Sequence, residues 1–95
     1  MTKAIYVKCT YKQGMWKDEK AVTINVCGER KEYSFFTFDY ELEFIDERNA
    51  LIKVFGICAK EADKAVVMLR EEGNPRYFTV PLDDLIEREN KPEAA

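Results

Sequence analysis

Residues 36–44 read Phe-Thr-Phe-Asp-Tyr-Glu-Leu-Glu-Phe, and this stretch decides the fold class of the chain. Large apolar side chains alternate with polar ones throughout it. Successive side chains of a β-strand point to opposite faces, so the alternation predicts a half-buried strand with its even-numbered side toward a core. The strand is expected to cover residues 33–45. Because that run is longer than most strands, we also expect a bend or bulge near Asp39.

Shorter strands are predicted on both sides of this segment. Residues 4–11 alternate, with their odd-numbered side apolar, and residues 22–26 form a second alternating run. Residues 12–20 between them show no consistent period and are expected to form a loop. Another strand is expected over residues 50–57, so that the central part of the chain is a series of antiparallel strands joined by short turns.

The turn that follows the long strand predicts a pairing register. A three-residue loop that ends at Asn49 would pair Phe44 with Ile52 on the core side. The same register would pair Leu42 with Val54. Asn49 is then expected to take the left-handed conformation that closes such a loop, which asparagine tolerates better than most residues.

Residues 59–76 are compatible with two structures. The helical spacing of their apolar residues, with Gly-Asn-Pro near the end, is typical of a helix and its C-terminal cap. The β-branched pair Val66-Val67 instead favours a hairpin with strands at residues 64–70 and 76–80. We favour the hairpin, because the second strand would otherwise have no neighbour close to it in the sequence.

Pro81 is expected to end the last strand and to begin a short helix over residues 82–89, since proline suits the first helical turn. The chain is therefore predicted to be mainly β, a small antiparallel barrel or sandwich of about six to seven strands with a short C-terminal helix. An SH3-like barrel is the first architecture that we expect. Residues 1–90 are expected to form a single domain and residues 91–95 a frayed tail.

The composition indicates the broad class of protein. The 95 residues carry a net charge of −3, with 46% apolar and 35% charged residues, which is typical of a globular domain and makes nucleic acid the less expected partner. No stretch has the length of a signal peptide or a bilayer span, so we expect a cytoplasmic protein that makes no membrane contact. The three cysteines are expected to be buried thiols.

The residue types present limit the chemistry. The chain has no histidine and one serine, Ser34, so it lacks the usual nucleophile–base pair and the usual general base near neutral pH. We therefore predict no enzymatic activity, no cofactor and no metal. Two carboxylate groups could hold a hard cation or form an acid–base pair, although such residues more often keep a surface solvated. They are Asp83, Asp84 and Glu87, and Asp39, Glu41 and Glu43.

Two features are candidate binding surfaces. Trp16 lies in a charged loop, where it either plugs one end of the fold or stays exposed to contact a partner. Tyr33 and Phe35 have the opposite parity from the predicted core side, and Phe55 shares their face. We expect this second apolar face to be covered either by the C-terminal helix or by a second copy of the protein in a symmetric dimer. Its other members are Ile45, Leu51 and Ile57.

These observations favour a non-catalytic protein-interaction or adaptor domain that associates with itself or with another protein. The residues expected to contact the partner are Trp16, Tyr33, Phe35 and Phe55. The alternative is a small barrel that binds single-stranded nucleic acid, with Trp16 stacking on bases and phosphates held by Lys12, Lys17 and Lys20. A carboxylate-based enzyme or divalent-cation binder is the third possibility.

Overall fold

The computed structural model describes residues 3–28 and 31–89, which form β-strands and short 3₁₀ turns. No helix longer than these turns is present among the described residues. The mainly β class is confirmed, with nine strands in this part of the chain rather than six or seven. The tail predicted for residues 91–95 lies outside the described residues. In chain order the elements are β1 (Lys3–Gln13), β2 (Glu19–Asn25), β3 (Glu32–Phe38), a first 3₁₀ turn (Asp39–Glu41), β4 (Leu42–Phe44), β5 (Asn49–Lys53), β6 (Gly56–Lys60), β7 (Lys64–Glu71), β8 (Asn74–Pro81), a second 3₁₀ turn (Leu82–Asp84) and β9 (Leu85–Glu89).

The strands make two antiparallel sheets. The larger has the order β3-β2-β1-β5-β4, with β9 also paired to β1, and the smaller has the order β6-β7-β8. The first 3₁₀ turn connects β3 to β4, which are the two edges of the larger sheet. Among the described residues these edges do not pair with each other, so the sheet does not close. The predicted barrel, SH3-like or otherwise, is therefore wrong, and two sheets share one core, which is closer to the sandwich that was the other expectation.

The core lies between the two sheets. Val7 and Ile24 of the larger sheet and Val67, Leu69 and Val80 of the smaller one are fully buried in a single hydrophobic cluster. The odd-numbered side of β1 faces this cluster, as its alternation predicted. Burying an aliphatic side chain of this size contributes about 1.5–3 kcal/mol, so the contact between the sheets is the main source of stability.

The side of β3 that faces the core is opposite to the predicted one. Phe35 and Thr37 are buried, whereas Phe36 is 47% exposed. The predicted bend near Asp39 is present as the first 3₁₀ turn. Because of this turn, the even-numbered residues before it and after it face opposite sides of the sheet. After the turn, Leu42 again packs toward the core. The apolar residues of 36–44 therefore do not lie on one continuous face.

The hairpin favoured for residues 59–76 is confirmed. β7 and β8 pair along their whole length, from Lys64 opposite Pro81 to Glu71 opposite Asn74. The two turn residues, Glu72 and Gly73, have φ values of 48° and 86°. A two-residue hairpin turn with positive φ at both positions matches the right-handed twist of the strands, which explains why glycine occupies the second position.

The C-terminal helix predicted for residues 82–89 is wrong. After the second 3₁₀ turn the chain continues as β9, which pairs antiparallel with the first half of β1, residues 3–7. On that side of β1, strand β2 pairs only with residues 9–13. Without β9, the backbone groups on that side of the first half would lack partners. A helix of this length is marginal by itself, so the unpaired strand determines the outcome.

The register predicted between β4 and β5 is also wrong, by two residues. Phe44 lies opposite Ala50, and Leu42 lies opposite Ile52. The Asp46 carboxylate explains the longer loop. Its Oδ1 accepts hydrogen bonds from the backbone N–H groups of Arg48 and Asn49, each at 2.8 Å. Asn49 consequently begins β5 and does not take the left-handed conformation that we expected.

The cysteines differ in exposure. Cys9 is buried in the core, as expected, and burial raises the pKa of its thiol to about 12. Cys27 and Cys58 are exposed, which corrects the expectation of three buried thiols. Cys27 follows the end of β2, and Cys58 lies at an irregularity in the pairing of β6 with β7, so neither position reaches the core.

Candidate functional site

Tyr33 and Phe35 lie between the two sheets and not on a face that is open to a partner. Phe35 is 4% exposed and stacks on Phe78 of β8, with ring centroids 5.4 Å apart. Tyr33 is half-buried, with its ring centroid 5.1 Å from that of Phe78. The face that we expected a C-terminal helix or a second copy to cover is covered by the smaller sheet of the same chain.

The other residues assigned to that face do not form one surface. Leu51 is buried in β5. Ile45 is exposed in the β4–β5 loop, and Ile57 is partly exposed in β6 of the smaller sheet. The apolar area that suggested self-association is therefore not present as a single patch.

Phe55 lies in the link between β5 and β6, where cations of its own chain cover its ring. The Arg70 guanidinium is 3.9 Å from the ring centroid and the Lys53 ammonium is 5.5 Å from it. Such contacts contribute about 0.5–1 kcal/mol each at exposed sites. The Phe55 N–H also donates to the Met68 carbonyl oxygen at 2.9 Å. Phe55 thus fixes the passage of the chain from one sheet to the other.

Glu41 is a buried carboxylate next to Arg70, one of the two cations that cover the Phe55 ring. Its Oε1 is 3.9 Å from Nη1 of Arg70. Burial raises the pKa of Glu41, and the positive charges of Arg70 and Lys53 oppose that rise. Its Oε2 has no hydrogen-bond partner among residues 3–28 and 31–89. The ionised form of Glu41 is therefore incompletely stabilised.

Trp16 lies in the β1–β2 loop, whose backbone is fixed by hydrogen bonds to Glu19. The Gly14 N–H donates to the Glu19 carbonyl oxygen at 3.0 Å, and the Glu19 N–H donates to the Trp16 carbonyl oxygen at 3.1 Å. The Glu19 carboxylate accepts the Met15 N–H at 2.7 Å. A side chain at Gly14 is excluded, because a Cβ there would lie 2.7 Å from Oε1 of Glu19. In addition, the Gln13 side-chain amide donates a hydrogen bond to the Trp16 carbonyl oxygen at 2.7 Å.

The same loop lies beside the first 3₁₀ turn, because the Asp39 N–H donates to the Asp18 carbonyl oxygen at 2.8 Å. This contact places the backbone of the loop next to that of the turn, and both segments carry exposed apolar side chains. The loop contributes Met15, which is 83% exposed, and Trp16, which is 63% exposed.

The turn contributes Tyr40, which is 69% exposed and stacks on Phe38 with ring centroids 5.5 Å apart. We call Met15, Trp16, Phe38 and Tyr40 the Trp16 corner. Sequence reasoning identified Trp16 but missed Met15 and assigned Tyr40 to the core side. The length of the strand predicted a bend near Asp39, but the alternation did not show that the bend would expose Tyr40.

The acidic residues Glu71 and Glu72 lie at the β7–β8 turn, and Glu19 is buried at the start of β2. The pKa of Glu72 is raised, first by a hydrogen bond with Glu19, then by desolvation and by the negative charges of Glu19 and Glu71. Glu71 has a cationic partner, since its Oε2 lies 3.1 Å from Nη1 of Arg76.

The lysines expected to hold phosphates are not gathered around Trp16. The Lys20 ammonium lies 2.7 Å from Oδ1 of Asp39 and donates to the Lys17 carbonyl oxygen at 3.2 Å. Its positive charge is therefore already paired within the chain. Lys12 lines a different surface, on the outer face of the larger sheet. Of the three lysines, Lys17 is the one in the loop that holds Trp16.

The carboxylates considered for a metal or an acid–base pair are dispersed. Glu43 pairs with Arg88 at 3.1 Å, and Oδ2 of Asp84 accepts a hydrogen bond from the Asn25 side-chain amide at 3.0 Å. Because the chain continues as a strand from Leu85 after the short 3₁₀ turn, no α-helix places Asp83 and its neighbours on one face. In the described part of the chain, no group of three or more Cys, Asp or Glu residues is arranged to share a metal ion.

A surface depression with a volume of about 730 Å³ lies on the outer face of the larger sheet. Thr10, Thr23 and Ser34 cross its floor on adjacent strands, and the hydroxyl oxygens of Thr23 and Ser34 are 2.7 Å apart. Lys12 and Arg48 also line it. Most of the residues that line this depression are polar or charged, although their exposed surface there is as much apolar as polar.

Comparison of the chain with protein-family models, with curated proteins and with solved structures finds no match to any of them. The residues and their geometry are therefore the basis for assigning a function. Within residues 3–28 and 31–89, no helix is long and apolar enough to cross a membrane.

Proposed function

We propose that this protein is a non-catalytic interaction domain that binds another protein through the Trp16 corner. The observation that carries the proposal is that large apolar side chains stay exposed on a loop whose backbone is held by hydrogen bonds. Binding to a flexible loop costs conformational entropy, whereas a loop fixed in advance avoids most of that cost. Tryptophan and tyrosine are also the residue types that most often dominate the energy of protein interfaces.

The exposure of Trp16 argues against a purely structural role. The alternative role, plugging one end of the fold, requires a buried indole, and the Trp16 side chain is 63% exposed. Burying the apolar surface of an exposed indole would contribute about 25 cal/mol of favourable free energy per Å². A protein partner that covers Trp16 and Tyr40 would recover that free energy.

The proposal is for a different protein as the partner rather than a second copy. Self-association was expected from an apolar face around Tyr33 and Phe35, and the smaller sheet of the same chain covers that face. Nucleic acid is less favoured, because the Lys20 charge is satisfied by Asp39 and because the Glu19 carboxylate lies against the Met15 N–H of the corner. Negative groups beside a stacking platform repel phosphates.

Two tyrosines provide a matched test. Tyr40 is 69% exposed in the Trp16 corner, and Tyr77 is 62% exposed on β8 of the smaller sheet. Immobilised wild-type protein and the variants Trp16→Ala, Tyr40→Ala and Tyr77→Ala are incubated with extract of the native cell, and the retained proteins are identified by mass spectrometry. We expect a protein that the wild type and Tyr77→Ala retain and that the other two variants lose.

The opposite results are also informative. Equal retention by all four proteins would refute the Trp16 corner as the binding surface. Retention of a labelled oligonucleotide that weakens steeply with salt would support the nucleic-acid alternative instead. Sedimentation of the wild type as a dimer that Trp16→Ala dissociates would identify the partner as a second copy.

A further inference from the structure

A second apolar cluster lies on the outer face of the larger sheet, which is the face turned away from the smaller sheet. Leu51 of β5 lies opposite Lys8 of β1 and Glu43 of β4. Its neighbour Ile52 faces the core together with Val7, so the alternation of the strand turns Leu51 outward. Leu51 is nevertheless 2% exposed. Other side chains of the outer face therefore cover it.

A pocket of about 320 Å³ adjoins Leu51. Ile86 of β9 and Ile45 of the β4–β5 loop add to its lining, and most of the surface exposed in it is apolar. Small-molecule sites typically have volumes of about 300–1,000 Å³ and combine an apolar lining with a few polar groups. A stable protein interface buries about 800 Å² on each partner, so a pocket of this size suits a small molecule better than a protein.

The charged groups that line the pocket differ in how far the chain itself satisfies them. Nη1 of Arg88 lies 3.1 Å from Oε1 of Glu43. The Asp46 carboxylate accepts hydrogen bonds from two backbone N–H groups and from the side-chain amide of Asn49. In the described part of the chain, the Lys8 ammonium has neither an ion pair nor a hydrogen-bond partner. Lys8 thus places an unpaired positive charge beside an apolar surface.

We propose that this pocket binds a small apolar molecule that carries one anionic group, such as a carboxylate. The apolar part packs against Leu51, Ile86 and Ile45, and the anionic group contacts the Lys8 ammonium. Charge complementarity selects this class, because a cationic ligand would place a second positive charge beside Lys8. The site is separate from the Trp16 corner and independent of the proposed function, since Lys8 lies in the middle of β1 and Trp16 follows its end.

Three probes separate the two parts of the proposed ligand. Octanoate has an apolar tail and a carboxylate, acetate has the carboxylate alone, and octanol has the tail alone. Binding is followed by the backbone amide signals of the isotope-labelled protein in nuclear magnetic resonance spectra. We expect octanoate to shift the signals of Leu51 and Ile86 in a saturable way and to leave that of Ser34, on the edge strand β3, unchanged. Octanol should bind more weakly, and acetate should cause no saturable shift.

Two exposed lysines of β1 provide a matched test. Lys8→Gln removes the cation at the pocket, and Lys12→Gln removes a cation further along the same face of the strand. From the strength of exposed ion pairs, Lys8→Gln should weaken octanoate binding by about 1.4- to 5-fold and leave octanol binding unchanged. Lys12→Gln should leave both dissociation constants unchanged, which controls for the net charge. Ile45→Ala should weaken the binding of both ligands, because it removes part of the apolar lining.

Each contrary result has a distinct meaning. Equal binding of octanol and octanoate would overturn the anionic class of ligand. Equal weakening by Lys8→Gln and Lys12→Gln would also overturn it, because the effect would then be one of net charge. Shifts that centre on the Trp16 corner would overturn the pocket as the site. The absence of any saturable response to octanoate would overturn the whole inference, whereas the capture experiment above judges the proposed function separately.

Discussion

Replacing Phe35 by alanine should destabilise the fold far more than the same replacement of its neighbour Phe36. Phe35 is 4% exposed and stacks on Phe78 between the sheets. Removing a buried phenylalanine side chain costs about 3–5 kcal/mol. Phe36 is 47% exposed, and full burial of a phenylalanine contributes about 1.5–3 kcal/mol, so its loss should cost about 1 kcal/mol.

Urea unfolding followed by far-ultraviolet circular dichroism measures this difference. A domain of 95 residues has a stability of roughly 5–14 kcal/mol, so Phe35→Ala should remove a large fraction of it and Phe36→Ala a small one. Circular dichroism is the appropriate signal, because the Trp16 indole is exposed in the folded protein. A midpoint lowered more by Phe36→Ala than by Phe35→Ala would refute the assignment of the core face of β3.

Three further measurements test other parts of the structure. Gly73→Ala should cost about 1 kcal/mol because φ is 86° there, whereas Gly56→Ala should be nearly neutral because its Cβ would meet only an ordinary contact at 3.9 Å; urea midpoints compare the two. The Cys9 thiol, with a pKa of about 12, should resist a thiol reagent at pH 8 until the protein is unfolded, while the two exposed thiols react at once. Burial raises the pKa of Glu41 above its usual value of 4.5, so its stabilising contribution is complete below pH 4.5 and is lost as the pH rises through the folded-state pKa. Over that range the stability of the wild type should fall relative to that of Glu41→Gln, and a constant difference would contradict the assignment.

The strands and one hairpin could be predicted from the sequence because their determinants are local. Alternation identified the strands around Val7, Ile24 and Phe36. The β-branched pair Val66-Val67 favoured a strand over a helix, and the β7–β8 hairpin confirms it. Such signals need only the chain's own periodicity.

The core face of β3 could not be predicted, because phenylalanines occupy both parities of that strand. Phe35 and Phe36 are chemically identical and adjacent, so the periodicity alone does not decide which one is buried. The decision comes from the smaller sheet, which supplies Phe78 to one face of β3. The 3₁₀ turn at residues 39–41 then interrupts the strand, although the alternation of apolar and polar residues in the sequence continues unchanged through it.

The end of the chain shows the same dependence on distant residues. Residues 82–89 have no strong intrinsic preference, and the proline and the acidic residues near their start favour a helix. Strand β1 is 11 residues long, however, and β2 leaves its first half unpaired on one side. β9 satisfies those backbone groups, and no local pattern encodes that requirement.

The candidate site combines a feature that the sequence shows with one that it does not. A tryptophan in a charged loop is visible in the sequence, but its exposure depends on how the loop is held. Glu19 holds the loop by accepting the Met15 N–H at 2.7 Å. If the loop served only to connect β1 to β2, solvent could satisfy these backbone groups without burying a carboxylate, which carries a desolvation cost. The buried carboxylate that fixes the loop carrying this exposed indole is therefore the feature that the proposed binding surface depends on.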